Sequence, residues 1–259
     1  MSTDDRATRA EVCVTACADL FAEDGEILAS AMGLVPGIGA RLARRTSAPD
    51  LVLSDGEAYL LDDDGVLEGW LPFRRVFDVV AHGSRHVVMG ASQVDRYGNQ
   101  NISCIGEHSH PKRQLLGVRG APGNTVNHRT SYWVPKHSPR VFVDRVDVAS
   151  GVGYDRARDA GPGAQRFHDI HRVVTNLAVL DFETGDRSMR LRSVHPGVTV
   201  AEVEEATGFA LSRDDEVPQT RVPCAEELRL LREVVDPSGR RDREVPDPSR
   251  VSGTADGVR

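Results

Sequence analysis

The sequence predicts a three-layer α/β/α fold on a mostly parallel sheet. Three observations carry this expectation. Val87, Val88 and Met89 form a short continuous apolar run closed by Gly90, the pattern of a strand buried on both faces. Strand-like and helix-like segments alternate along the chain. Two helix starts share one spacing, Thr8 with Glu11 and Thr199 with Glu202, in which a threonine and a glutamate three residues on satisfy each other's free amides.

The elements follow in order. After Thr8 a first helix places Ala10, Cys13, Cys17, Leu20 and Phe21 on one face. Residues 26–32 read as a strand, and a turn built on Gly33, Pro36, Gly37 and Gly39 leads into a helix carrying Ile38, Leu42 and Arg45. Residues 51–53 form a second short strand, and 77–81 a helical turn before the strand at Val87. Residues 115–118 and 141–143 are further strand candidates, and 151–163 a glycine-rich loop. Segments 173–182 and 188–192 suggest a hairpin turning at 184–186. The second capping box opens a short helix that ends at Gly208, and Pro223 suits the first position of a last helix running to Arg232. Residues 1–236 therefore read as one domain. Residues 237–259, with three prolines, three glycines and dense mixed charge, read as a disordered tail.

Composition narrows the function classes. Hydrophobic residues make up 39% and charged residues 27%, ordinary for a soluble globular protein. A formal net charge of −7 argues against a nucleic-acid surface, which needs clustered Lys and Arg. Arg41, Arg44 and Arg45 form a local basic patch, read as the solvated face of a helix. No apolar core of a signal peptide opens the chain, and no stretch approaches the roughly 18 apolar residues of a membrane span. Neither nucleic acid nor membrane is expected as a partner, and the expected location is cytoplasmic. Cys13, Cys17, Cys104 and Cys224 then read as reduced thiols, the first two as small core residues. Cys104 lies near His108 and His110 but lacks a second pair at metal-ligand spacing, so no metal is expected.

The densest chemistry lies in residues 90–101, GASQVDRYGNQN. Gln93, Asp95, Asn99 and Asn101 stand at what would be the carboxyl end of a strand, where open α/β sheets bind ligands. The same residues build Asx-turns, with Gly98 supplying positive φ, and both readings stand. A second stretch, residues 120–128, GAPGNTVNH, reads as a loop. Gly120 and Gly123 permit close backbone approach to a ligand. Asn124 and Asn127 are amide donors for an oxyanion, and His128 is a base for neutral pH or simply a hydrogen-bonding loop residue. Tyr132 and Trp133 suit either a pocket wall or the core.

Residues 90–101 resemble the GAxQVDxxGNxN signature of the β subunits of class I coenzyme A transferases. Residues 195–209, HPGVTVAEVEEATGF, resemble the C-terminal signature of that family, and 223–231, PCAEELRLL, follow at its distance. Residues 40–50, ARLARRTSAPD, are similar to the helix and loop before the family's catalytic strand. Within the family, residues 117–134, GVRGAPGNTVNHRTSYWV, most resemble the ring-opening hydrolases of actinobacterial steroid degradation. The resemblance implies the coenzyme A transferase fold and an active site shared with an α-like subunit. It also implies an acyl-coenzyme A substrate whose coenzyme A is part of that substrate, with no other cofactor.

The resemblance also says where a nucleophile would stand. The family's glutamate opens an E-x-G turn shortly after the APD motif, and counting from residues 48–50 puts Gly56 there, with Glu57 one residue away. A one-residue shift on a strand turns a side chain to the other face, though a turn can absorb it. Residues 32–39, MGLVPGIG, hold the family's site glycines in a different register, with Gly33 expected against the substrate. The implied function is the β subunit of a heteromeric hydrolase that opens the last ring of a steroid-derived cyclohexenone carboxyl-coenzyme A thioester. His128 and Glu57 are the candidate catalytic groups. Gly33, Gln93, Asn99, Asn124, Asn127 and Tyr132 are the candidate substrate contacts. Two alternatives remain: a coenzyme A transferase for a 3-oxo or glutaconate-type acid with Glu57 as nucleophile, and a non-catalytic acyl-coenzyme A-binding subunit.

Overall fold

The computed structural model describes residues 6–246 except Glu57 and Arg119. Helix α1 (Arg9–Asp19) opens on the expected reciprocal cap of Thr8 and Glu11. Strand β1 (Leu28–Ala31) leads to α2 (Leu34–Arg45), which starts directly after Gly33. Pro36, Gly37 and Gly39 therefore lie inside the helix rather than in the expected turn. Pro36 falls in the first turn, where its missing amide breaks no helical bond. Gly39 faces α1, and a Cβ there would lie 2.8 Å from Cys17 Cβ, so the bare backbone sets the spacing of the two helices.

Strands β2 (Val52–Ser54), β3 (Tyr59–Leu61) and β4 (Leu67–Trp70) form an antiparallel edge, of which the sequence reading anticipates only the first. Helix α3 (Phe73–His82) precedes β5 (Arg85–Gly90). Two small antiparallel pairs follow, β6 (Gln93–Val94) with β7 (Gln100–Asn101) and β8 (Cys104–Ile105) with β9 (Arg113–Gln114). The expected loop at 120–128 is instead helix α4 (Ala121–Asn127), running into β10 (Arg129–Val134). Short helices α5 (Tyr154–Asp159) and α6 (Pro162–Gln165) occupy much of the expected glycine-rich loop. Strands β11 (Asp169–Thr175), β12 (Ala178–Asp181) and β13 (Arg190–Val194), helix α7 (Val200–Glu205), strand β14 (Ser212–Arg213) and helix α8 (Ala225–Leu230) complete the order.

The large sheet has the order β14-β13-β12-β11-β10-β5-β1-β2-β3-β4, and its centre from β11 to β2 is parallel. Alternation along the strands separates two cores. Ala29, Ala31, Leu53, Val88, Trp133 and Val174 pack with α1 and α2. Val87, Met89, Tyr132, Val134 and Val173 pack on the opposite face with Ala121 of α4 and Phe142. The three-layer α/β/α architecture is thus as expected.

Several local expectations change. Residues 115–118 and 141–143 are not strands: Leu116 is exposed, and Phe142 makes only an isolated bridge to Val94. The run 173–182 is broken by a tight turn after Thr175, whose hydroxyl accepts from Leu177 N and Ala178 N, so the first late hairpin is β11–β12. The N-cap of α8 is Cys224 and Pro223 lies outside the helix. The basic patch on α2 is not a solvated face: Arg44 pairs with Asp63 at 2.9 Å, Arg45 pairs with Asp64 at 2.6 Å, and Arg41 donates to the carbonyls of Asp63 and Val235. Residues 237–246 of the expected tail are folded instead. Residues Arg240–Arg243 form a 3-10 turn, Arg241 is buried against Glu11 and Asp236, and Val245 joins the core. Residues 247–259 lie outside the described residues.

Candidate active site

The carboxyl ends of the parallel strands bring Gly33, Asp55, Gly56 and Gly90 to one edge of the sheet. Gly33 has φ 115° and precedes the first turn of α2, a conformation that needs glycine. It opens a cleft of about 220 Å³ that runs past Gly37 and Ser54 to Arg41 and Arg240. Gly56, the position counted for a nucleophile, has φ 89°, and a Cβ there would lie 2.6 Å from Met32 Cγ. A side chain at 56 has no room. Glu57 lies outside the described residues.

The polar stretch after β5 is satisfied from within. Asn99 donates to both carboxylate oxygens of Asp95 at 3.1 and 3.0 Å and to Asp155 at 2.8 Å, while its own oxygen accepts from Gly153 N. Gln93 donates to Asp147 and accepts from Asn101 Nδ2 at 2.7 Å and from Asp147 N. All four polar side chains are buried. Burial raises the pKa of Asp95 despite the hydrogen bonds that oppose it. Gln93 and Asn99 are therefore turn-builders that fasten residues 144–155 to the sheet, not ligand contacts. Tyr132 is likewise core: its hydroxyl donates to Gly98 O at 3.0 Å, and burial raises its pKa strongly.

Helix α4 separates its polar residues by its length. Asn127 and His128 sit at the amino end of β10, opposite the edge that carries Gly33 and Gly56. Both donate to Val80 O, Asn127 at 3.4 Å and His128 Nε2 at 2.8 Å. Burial, then the charge of Arg85, lowers the His128 pKa, and its Nδ1 is buried without a partner. The geometry makes it an anchor for α3 and removes it as a general base. Ser131, His86 and Asp24 line up in hydrogen-bond distances of 2.9 and 2.5 Å, the order of a nucleophile, base and orienting acid. All three side chains are sealed beneath α1 and out of reach of a substrate.

Asn124 stands one turn earlier on α4 and is buried. Its Oδ1 accepts from Arg85 Nη1 at 3.0 Å, and Arg85 Nε donates to Ser30 Oγ at 3.0 Å. Ser30 Oγ lies 3.5 Å from Ser54 Oγ, which accepts from Gly56 N at 3.2 Å. A polar chain thus runs from α4 beneath the strands to the Gly56 turn. Arg85, Ser30 and Ser54 are the members of this chain that the sequence reading missed.

A model of the coenzyme A transferase family matches residues 76–206. The chain is 57% identical over 244 residues to the cholesterol ring-cleaving hydrolase IpdB subunit of Rhodococcus jostii, covering 92% of this chain and 96% of that one. This chain belongs to the coenzyme A transferase family. Its fold matches the crystal structure of Rhodococcus jostii IpdAB with a TM-score of 0.88 at 56% identity, over 93% of this chain and 99% of that one. It is also 32% identical over 239 residues to a 3-oxoadipate CoA-transferase subunit of Pseudomonas knackmussii, covering 81% and 86% of the two chains.

Several large apolar side chains are exposed on the edge strands and on α3. Tyr59, Leu67 and Trp70 on β3 and β4, Val66 between them, Val52 on β2 and Phe77 on α3 are exposed, Trp70 to 62%. No helix among the described residues is long and apolar enough to cross a membrane. Among those residues no group of three or more His, Cys, Asp and Glu is arranged to hold a metal.

Proposed function

We propose that this chain is the B-type subunit of a heteromeric hydrolase that opens the last ring of a steroid-derived cyclohexenone carboxyl-coenzyme A thioester. One observation carries the reading: Met32 fills the space into which a side chain at Gly56 would point, in a chain more than half identical to ring-cleaving subunits over nearly its whole length. The 3-oxoadipate transferase relative keeps the transferase alternative open to test through Glu57.

The chemistry balances with water alone. A water oxygen adds to the ring ketone, and the carbonyl π pair becomes an oxyanion. When the carbonyl re-forms, the ring C–C bond breaks and its electron pair passes to the carbon conjugated with the thioester. That carbon takes a proton originating from water, and the former ketone carbon leaves as a carboxylate. The protein has to hold water against the ketone and stabilise the oxyanion. Coenzyme A enters as part of the substrate, and no further cofactor is required. The catalytic base comes from the A-type subunit, since His128 is spent on Val80. That subunit packs on the exposed apolar side chains of β2, β3, β4 and α3, which suit a partner better than water. The working compartment is the cytoplasm, where the buried thiols of Cys13, Cys17 and Cys104 stay reduced.

The test is turnover of the ring thioester in ¹⁸O-labelled water by the chain co-purified with its A-type subunit. One labelled oxygen is expected in the new carboxylate, with no Glu57 adduct after hydroxylamine or borohydride. A trapped glutamyl thioester at Glu57, with exchange of coenzyme A between acids, would restore the transferase.

A further inference from the structure

Among the described residues of the polar stretch 93–101, Gln100 alone keeps a buried side-chain oxygen without a hydrogen-bond partner. The residue is fully buried and its backbone is clamped: its N–H donates to Gly151 O at 3.1 Å, and its carbonyl accepts from Ser150 N and Gly151 N at 2.8 and 3.0 Å. The side chain lies against Gly151, where a Cβ would be 2.8 Å from Gln100 Oε1 and 3.0 Å from Thr125 Cγ2, so glycine there makes room for it. Its Nε2 donates to Gly90 O at 2.5 Å. That bond does not offset the orphaned Oε1. Gly90 is exposed at the end of β5, where water serves a strand-end carbonyl equally well, and a methionine at 100 would bury no unpaired oxygen. Stability alone therefore does not account for Gln100.

Gly90 is a second anomaly at the same place. It belongs to a strand and its φ is not positive, so its conformation does not demand glycine. A Cβ there would meet nothing within 4 Å, so packing does not demand it either. Glycine weakens a strand, and where neither reason holds it marks the close approach of another group to the backbone. In the sheet β5 lies beside β1 and then β2, whose carboxyl ends lead into Gly33 and Gly56. The open space over Gly90 therefore belongs to the edge that carries the cleft at Gly33, and it is reached from solvent.

We propose that Gln100 is a positioning residue: it holds the Gly90 carbonyl turned inward, away from the substrate, so that the acyl end of the thioester lies on the bare Gly90 backbone. The proposal rests on the ring-opening reading for the identity of the substrate, and on the orphaned amide and the unrequired glycine for the place. The peptide joining Gly90 to Ala91 is planar, so fixing its oxygen fixes the whole unit. Without Gln100 that oxygen is free to swing toward the ligand, and a carbonyl dipole facing the oxyanion of the ring ketone raises the barrier. Gln100 acts through Gly90 and touches no reacting atom.

The experiment uses the heteromer carrying the wild-type chain, Gln100→Met, Gln100→Glu or Gly90→Ala. Turnover of the ring thioester is followed from about pH 5 to pH 8 together with thermal melting, and binding of acetyl-coenzyme A is measured by calorimetry. Gln100→Met should melt at or above wild type, since it buries no orphan, and lose about a hundredfold in kcat with KM within a few-fold. In Gln100→Glu burial raises the new carboxyl, which donates to Gly90 O only when protonated, so its kcat relative to wild type should rise as pH falls. Gly90→Ala should melt no lower than wild type, yet its methyl takes the ligand's space, and acetyl-coenzyme A should bind about tenfold or more weaker. A structural fastening predicts the reverse: Gln100→Met melts lower while the folded heteromer keeps its kcat, and Gln100→Glu gains no pH dependence. That pattern would overturn the proposal, as would wild-type activity and binding in Gly90→Ala. If Gln100→Met both melts lower and loses turnover, Gln100→Glu decides: recovery at low pH supports positioning, and its absence overturns it. If the wild type binds acetyl-coenzyme A without opening the ring, the ring-opening reading falls by itself, and the Gly90→Ala affinity still decides whether an acyl thioester lies at Gly90. No binding to the wild type overturns that seat.

Discussion

A chain ending at Asp236 should be far less stable than one ending at Pro246, although composition draws the domain boundary at 236. The ten residues between carry three buried connections. Arg241 bridges Glu11 and Asp236 at 2.9 Å each, and both carboxylates are sealed from solvent. Glu244 accepts from Trp133 Nε1 at 2.8 Å and from Leu34 N and Val35 N at 3.3 Å, capping α2 where Gly33 offers no side chain. Val245 is buried in the core. Removing one partner of a buried ion pair costs about 3–5 kcal/mol, and Glu11 keeps Arg232, so the lower value applies. The hydrogen bonds to the Glu244 carboxylate contribute about 1.5–3 kcal/mol and the valine about 1.5 kcal/mol. Because neighbouring losses overlap, a total near 6 kcal/mol is expected, out of the roughly 5–15 kcal/mol typical of a folded domain. At about 2–4 °C per kcal/mol for a chain of this size, the shorter chain should melt on the order of 15 °C lower. Circular-dichroism melts of the two chains make the comparison. Melting temperatures within 3 °C of each other would refute the packing of this segment.

Two further outcomes test other parts of the structure. Trp70→Glu combined with Phe77→Glu places charge on the exposed apolar surface, and should abolish co-purification with the A-type subunit while leaving the far-ultraviolet spectrum of the chain unchanged; an undiminished yield of heteromer would relocate the interface. Burial raises the Asp24 carboxyl, but the hydrogen bond from His86 and the charge of Arg129 outweigh it and hold its pKa below the ordinary value. A depressed carboxylate stabilises the fold above its unfolded pKa of about 3.9 and loses that effect as pH falls through its folded value. The stability gap between wild type and Asp24→Asn should therefore narrow from pH 7 to pH 3 in urea titrations, and a gap independent of pH would remove Asp24 from the linkage.

Features that depend on a few neighbouring residues were legible. Both threonine-glutamate boxes cap helices as expected, and the apolar run at Val87 is the central strand. Features decided by packing were not. Gly37 and Gly39 read as turn residues because local propensity favours turns, but the close approach of α1 to α2 selects a small residue at Gly39 within a helix. Residues 237–246 read as disordered for lack of large apolar side chains, yet Arg241 and Glu244 are fixed by buried groups on α1, α2 and β10 that lie far away in sequence. The edge hairpin of β3 and β4 carries its apolar residues on exposed positions, so alternation against a core had nothing to report.

The site was legible in its family and misread in its residues, for one physical reason. Amides and carboxylates crowded into a short stretch satisfy one another first, because a buried donor or acceptor left unpaired costs about 1–3 kcal/mol. Gln93, Asp95, Asn99 and Asn101 obey this rule and hold the segment 144–155 against the sheet, so the signature that identifies the family is spent on architecture. Groups that the fold leaves incompletely satisfied are harder to see in a sequence. Arg85, held by Ser30 and Asn124 without a carboxylate among the described residues, opens an apolar strand where a lone arginine gives no pattern to recognise. Asn124 is another, accepting from Arg85 and donating to the Met89 thioether. Gly56 completes the contrast: it matters for the side chain it lacks, and Met32 occupies the space where one would stand.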